Sequence, residues 1–240
     1  MEFACPLIPG KLIRRYKRFL ADVELEDGHE VTAHCANPGA MLGLNSPGLR
    51  VWLEPNDNPK RKLKFAWKLV ELPSGAMAGI DTGVPNKVVG EALRAGTVAG
   101  LEGYDTVKPE QHYGENSRID FLLTGGCPDT YVEVKNVHLM REDGLAEFPD
   151  SVTKRGAKHL DELAAMVREG HRAIMLYCVP RDDCDRFDLA RDLDPGYAQA
   201  FERAVAQGVE VLVFRCKLDT TRISLERAIP LSGESARMTR

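Results

Sequence analysis

No run of the 240-residue chain approaches the roughly 18 consecutive apolar residues that a membrane-spanning helix needs. The opening segment, MEFACPLIPG, lacks a basic stretch followed by an apolar one, so no secretory signal is expected. Cysteine is sparse and irregular. Cys5, Cys35, Cys127, Cys178, Cys184 and Cys216 form no CxxC pair, which argues against a zinc site. Cys178 and Cys216 lie inside apolar, strand-like runs, where a small buried thiol suffices as an explanation. A chain of this length also has no need of disulfide staples. The expectation is a reduced, soluble, cytoplasmic protein without membrane contact. Several catalytic signatures are missing as well: GxSxG, a P-loop, GxGxxG after a strand, and HExxH. The six histidines show no metal-ligand spacing.

There is no excess of positive charge. The chain carries 32 Lys and Arg against 36 Asp and Glu, a net −4, which argues against a uniformly basic nucleic-acid binder. It is 43% hydrophobic and 28% charged, an ordinary globular balance that excludes disorder, and no period of 20–50 residues repeats.

What is present divides near residue 82. From Lys11 to Asp81, about five short strand-like runs alternate with turn residues, without a clear helix, which predicts a small OB-like β-barrel over residues 1–82. From residue 83 the pattern alternates. An amphipathic helix spans NKVVGEALRAG, and two strands follow, SRIDFLLT and TYVEVKNV. A helix runs from about Ser151 to Glu169, then a strand RAIMLYCV, a helix YAQAFERAVAQ and a strand VEVLVFRC. That order predicts an α/β domain over 83–231, with buried strands written as continuous apolar runs. Residues 232–240 read as a tail. A homo-oligomer is compatible with this plan.

Charge in the barrel is clustered. Arg14, Arg15, Lys17 and Arg18 form one basic run; Lys60, Arg61, Lys62, Lys64 and Lys68 form another. Phe19 and Trp67 lie among them, either as base-stacking faces beside phosphate-binding cations or as core residues set by strand alternation. The turn at Asn37-Pro38-Gly39 can offer backbone N–H groups to an anion or serve only as a turn.

The most chemically loaded segment is Arg118-Ile119-Asp120-Phe121, followed by Glu133-Val134-Lys135. Gly125-Gly126-Cys127-Pro128 reads as a four-residue hairpin loop. Pairing Thr124 with Asp129 then sets Asp120 across from Glu133, with Ile119, Phe121 and Leu123 together on the opposite face. Facing carboxylates repel unless a cation lies between them. Mg²⁺ or Mn²⁺ would supply that charge and polarise a phosphodiester, with Lys135 stabilising developing charge. A solvated polar face is the alternative. Glu91 can complete the metal site or stay in solvent. Lys154, Arg155 and Lys158 crowd the start of a helix, where the dipole disfavours cations, so a nearby phosphate or carboxylate is expected. His159 lies one turn from Arg155.

With these residues assembled, the chain resembles the sugar fermentation stimulation protein A family of bacteria and archaea. The markers are RYKRFLADV, HCANPGAM, KRK before a Trp-bearing strand, GENSRIDFLL, YVEVKNVHL, FPDSVTKRGAKHL and GVEVL, spread over nearly the whole length. The resemblance implies an N-terminal OB-like domain and a second domain similar to PD-(D/E)xK nucleases, with a mixed central sheet. It also implies DNA binding and a link to sugar (maltose) metabolism. The nuclease-like motif falls on Asp120, Glu133 and Lys135, with Glu91 as the helix acid. Pro38 departs from the family's more usual Thr, which weakens a hydroxyl-based role for that turn. Three functions stay open at this point: a DNA-binding regulator, an active Mg²⁺- or Mn²⁺-dependent nuclease, and a binder of a sugar or nucleotide.

Overall fold

The computed structural model describes every residue except 115, 116, 127, 239 and 240, and omits the side chain of residue 238. Cys127 of the expected hairpin loop, and the Glu-Asn pair of GENSRIDFLL, therefore lie outside the described residues.

The first third of the chain forms β1 (Ile8–Tyr16), β2 (Leu20–Leu25), β3 (Glu30–Cys35), β4 (Arg50–Pro55), β5 (Phe65–Glu71) and β6 (Met77–Gly79). Their order is β3-β2-β1-β4-β5-β6, and a parallel β3–β5 pairing closes the first five strands into a barrel. Alternation sends Leu12, Ala21, Val23, Ala33, Cys35, Val51, Leu53 and Trp67 inward. The segment LIRRYKRFLADVEL is two strands rather than one. Lys17 and Arg18, at φ 48° and 63°, take left-handed backbone and turn the chain between β1 and β2. Side chains rarely adopt that conformation, so sequence pattern gives no sign of this turn.

The remaining two thirds contain α1 (Val84–Arg94), β7 (Thr106–Tyr113), β8 (Ser117–Thr124), β9 (Thr130–Asn136), β10 (Leu139–Glu142), β11 (Leu145–Phe148), α2 (Lys154–Arg168), β12 (Arg172–Val179), β13 (Arg186–Leu189), α3 (Pro195–Ala206), β14 (Glu210–Leu218), β15 (Ile223–Ala228) and α4 (Ser235–Met238). The main sheet runs β15-β14-β12-β9-β8-β7 and is mixed: β9, β12 and β14 are parallel, and the outer pairings are antiparallel. β12 lies at its centre and is buried along nearly its whole length, as a strand covered on both faces must be. α1 covers one face over Val132, Val134, Ile174 and Leu176, while α2 and α3 cover the other over Met175, Tyr177 and Val213. The strands β10, β11 and β13 form a separate small sheet.

Local chemistry sets the helix ends. Thr153 Oγ1 caps α2 by accepting from Gly156 N at 3.1 Å, and Asp194 caps α3 by accepting from Tyr197 N at 2.9 Å. Gly90 lets α1 lie directly on β8, because a Cβ there would stand 2.9 Å from the Phe121 ring.

Both chain ends differ from expectation. Residues 1–3 lie along the second domain, where Phe3 N donates to Thr221 O at 3.0 Å. The expected tail is docked through residue 238: Ser232 N donates to Phe187 O at 2.8 Å, and Ser235 Oγ bonds Asp188. Met1, Phe3 and Leu231 also pack against the cores, but all these contacts are long-range, so no local hydrophobic period announces them.

Candidate metal and nucleic-acid site

The hairpin of β8 and β9 has the predicted register: Phe121, Leu122 and Leu123 pair with Val132, Tyr131 and Thr130. The ladder stops at Phe121. Beyond it the strands part, and Asp120 fills the gap, its Oδ2 accepting from Val134 N at 2.8 Å in place of a strand partner. Its Oδ1 accepts from Asn86 Nδ2 on α1 at 2.6 Å. This splay corrects the expected alternation. Phe121 and Leu123 join the core under α1, but Ile119 joins the core under α2 and α3.

On β9, Glu133 and Lys135 face α2. Glu133 is 3% exposed, and its Oε1 accepts from Lys135 Nζ at 2.7 Å and from His159 Nδ1. Arg155 Nε donates to His159 Nε2 at 3.3 Å. A guanidinium only donates, so Nε2 carries the lone pair and the His159 proton sits on Nδ1, directed at Glu133. Burial raises the Glu133 pKa, but the His159 bond and the Lys135 charge outweigh it and hold the carboxyl below its ordinary value. Asp120 moves the other way. Burial, and then the negative charge of Glu133, push it up against the opposing bonds from Val134 N and Asn86. Two neighbouring carboxylates thus have pKa values driven apart.

Glu133 Oε2 is buried and has no hydrogen-bond partner among the described residues. An unpartnered buried carboxylate oxygen is costly, and a bound cation removes that cost. Oxygen donors from two carboxylates suit a hard divalent ion that keeps several waters, so these residues fit Mg²⁺ or Mn²⁺. Glu91 is not gathered with them. It lines the same cleft as Asn86, Lys87, Arg94 and Asp120, but its carboxylate is half exposed and 2.5 Å from the amino group of Met1. Among the described residues no three Asp, Glu, His or Cys side chains stand together as a ready ligand set.

The Asn37 turn is committed elsewhere. Asn37 is 3% exposed; its Nδ2 donates to Ile80 O at 2.9 Å and to His138 Nδ1 at 3.3 Å, while its Oδ1 accepts from Gly39 N at 2.9 Å. The anion at this turn is internal, because Asp150 Oδ2 accepts from Ala40 N at 3.2 Å. A free anion-binding turn at Asn37 is therefore not what the structure builds. His138 completes the junction by donating from Nε2 to Gly79 O and accepting at Nδ1 from Asn37 and from Asn136 Nδ2, the latter at 3.1 Å. Burial pushes its pKa down to about 4, against the Gly79 bond and with help from Arg181. A neutral imidazole thereby joins barrel to sheet beside a cleft of about 430 Å³.

The basic runs separate into structural and free cations. Arg14 Nε pairs with Asp22 at 2.8 Å. Arg15 Nη2 donates to Asn37 O at 2.7 Å and Gly39 O at 3.0 Å. Lys68 Nζ lies 2.9 Å from Asp81 and 3.3 Å from Glu54. Lys17, Arg18, Lys60, Arg61 and Lys62 are exposed and make no ion pair among the described residues, and Lys64 Nζ donates to Asn58 O at 3.0 Å. On α2, Lys154 is exposed, Arg155 holds His159, and Lys158 Nζ stands 3.3 Å from Glu162.

The barrel and the mixed-sheet domain coincide with two stretches of sequence that match known domain families. Residues 13–80 match the SfsA N-terminal OB domain, and residues 83–222 match the sugar fermentation stimulation protein RE domain. The chain belongs to the sugar fermentation stimulation protein family. Homologues of that name are 62% identical over 233 residues in Dinoroseobacter shibae, covering 96% of each chain, and 64% identical over 225 residues in Ruegeria pomeroyi, covering 93% of this chain and 96% of the relative. The structure of Pyrococcus furiosus SfsA in complex with Ca²⁺ superposes with a TM-score of 0.85 at 26% identity, covering 97% of this chain and 98% of that one.

Within this family member, sequence reasoning missed Asn86 and His138. Asn86 sits on an amphipathic helix where it reads as one more polar-face residue, and His138 follows a strand with no ligand spacing. The orienting role of His159 was partly signalled by its position four residues after Arg155.

Proposed function

We propose that this protein binds DNA and that Asp120 and Glu133 hold Mg²⁺ or Mn²⁺ for phosphodiester hydrolysis, with Lys135 beside them. The observation that carries this reading is Glu133 Oε2, which has no partner among the described residues and is buried next to a second carboxylate whose pKa is raised. A protein that only grips a polyanion gains nothing from buried negative charge at the contact. The metal, when bound, supplies Lewis-acid polarisation of the phosphodiester and a water of lowered pKa. The chain's own residues do the rest. His159 fixes Glu133 Oε1 from one side, leaving Oε2 free, and Asn86 and Val134 N fix Asp120. Lys135 holds a positive charge at this position and can stabilise negative charge developing on a phosphoryl oxygen. The free cations of the barrel and of the α2 start would neutralise backbone phosphates on either side. The Pyrococcus furiosus relative was solved in complex with Ca²⁺, which supports a hard divalent cation in this reading.

Labelled DNA incubated with Mg²⁺, Mn²⁺ or EDTA tests this, beside Glu133→Gln and Lys135→Ala. Metal-dependent cleavage lost in both variants is expected. DNA that is only retarded, equally with EDTA present, would sink the hydrolytic reading and leave a DNA-binding regulator.

A further inference from the structure

The barrel's exposed surface carries an aromatic feature that the metal site does not use. Phe19 is one of the few large apolar side chains that the fold leaves out, at 46% exposed. Strand alternation with Ala21 and Val23 would send it inward. The left-handed turn at Lys17 and Arg18 turns it outward instead, secured by Phe19 N donating to Lys17 O at 2.7 Å and Arg15 Nε donating to Arg18 O at 3.2 Å. There it lies parallel to the exposed His34 ring of β3, with centroids 6.4 Å apart and planes within 13°. His34 also lines a groove of about 360 Å³ with Phe65, Arg61 and Lys62. Trp67, the other aromatic of the basic runs, is core and donates from Nε1 to Leu69 O at 2.8 Å, so it takes no part.

Position gives this patch its meaning. In a closed five-strand barrel of this strand order, ligands are taken on the β2–β3 face between the β1–β2 and β4–β5 loops. Here the β1–β2 turn brings Lys17, Arg18 and Phe19, and the β4–β5 loop brings Lys60, Arg61, Lys62 and Lys64, against one acid in either loop, Asp57. Flat rings flanked by free cations suit a chain of phosphates whose bases are unstacked. A duplex keeps its bases stacked on one another and presents no ring face to Phe19. Arg15, through its bonds to Asn37 O and Gly39 O, ties the same turn to the cleft between the domains, which Asn136 and Thr153 also line. Those two residues adjoin Lys135 and Lys154.

We infer that the barrel selects single-stranded polynucleotide, stacking an unpaired base on the Phe19–His34 platform, and so delivers single-stranded segments to the α/β site. This rests on the nucleic-acid reading above and narrows its substrate class.

The test is fluorescence anisotropy of the full chain with labelled oligo(dT) and with a duplex of equal length, at several salt concentrations. Oligo(dT) is expected to bind more tightly. Phe19→Ala should weaken it roughly 5- to 150-fold without changing the salt slope, because stacking on Phe releases no counterion. His34→Ala should weaken it in the same sense, and Phe19→Trp should restore binding. Lys62→Ala should instead reduce the slope by about 0.7. Equal affinity for both probes, or Phe19→Ala and His34→Ala binding like wild type, would overturn the single-strand proposal while leaving DNA binding intact. Failure of wild type to bind either probe would overturn the nucleic-acid reading itself.

Discussion

Acid should destabilise the fold by protonating His138. In the folded chain this imidazole is neutral, enclosed between Gly79 O, Asn37 and Asn136, with a pKa pushed down to about 4 by burial. In the unfolded chain it returns to its ordinary value near 6.5. The unfolded state therefore binds the extra proton more readily between those two values. Stability from this group is complete above about pH 6.5 and falls as pH drops toward 4. At about 1.4 kcal/mol per pH unit of difference, the loss is about 2 kcal/mol by pH 5 and about 3 kcal/mol by pH 4. Urea unfolding of wild type and His138→Gln at matched pH values measures it. Glutamine keeps a donor and an acceptor but cannot titrate, so the difference between the two chains should shrink by about 2 kcal/mol from pH 7.5 to pH 5. Asp120, Glu133 and the other carboxylates titrate in both chains and cancel. A difference independent of pH would refute the assignment of His138 as a buried neutral junction.

Other consequences are local. Asp120→Asn should raise the urea midpoint of the metal-free protein at neutral pH, because a raised carboxyl pKa means the charged form costs stability above that pKa, and the amide can still accept from Val134 N. A lowered midpoint would contradict the repulsion argument. Gly90→Ala should destabilise by about 1–3 kcal/mol, since its Cβ would press on Phe121; an unchanged midpoint would mean that α1 is not seated where described. Thr153→Ala should cost about 1 kcal/mol in thermal or urea unfolding by freeing the Gly156 N–H at the start of α2.

The parts of this architecture that were legible in sequence are those with strong periodicity. The apolar run of β12 and the amphipathic face of α2 are visible in the sequence alone, and the short loop fixes the β8–β9 register. From that register the approach of Asp120 and Glu133 followed. The features that escaped depend on backbone conformation or on single polar contacts. The turn at Lys17–Arg18 has no glycine or asparagine to mark it. Ile119 changes face because the strands part at Asp120, and alternation assumes an unbroken ladder. β10, β11 and β13 are four residues each, too short for a pattern. The His138 junction joins residues 59 and 101 positions apart, each unremarkable alone. Charge alone does not reveal pairing either: Arg14, Arg15 and Lys68 belong to the basic runs, yet exposed Arg14 pairs with Asp22, Arg15 bonds the Asn37 carbonyl and Lys68 pairs with Asp81.

Asp120 and Glu133 are proposed to hold a divalent cation together. Calorimetric titration of Mn²⁺ into the full-length protein measures that directly, beside Glu133→Gln and Asp120→Asn. One binding event in wild type, lost or strongly weakened in both variants while their folded spectra are retained, is the predicted result. Equal Mn²⁺ binding by all three chains, or none by wild type, would contradict it.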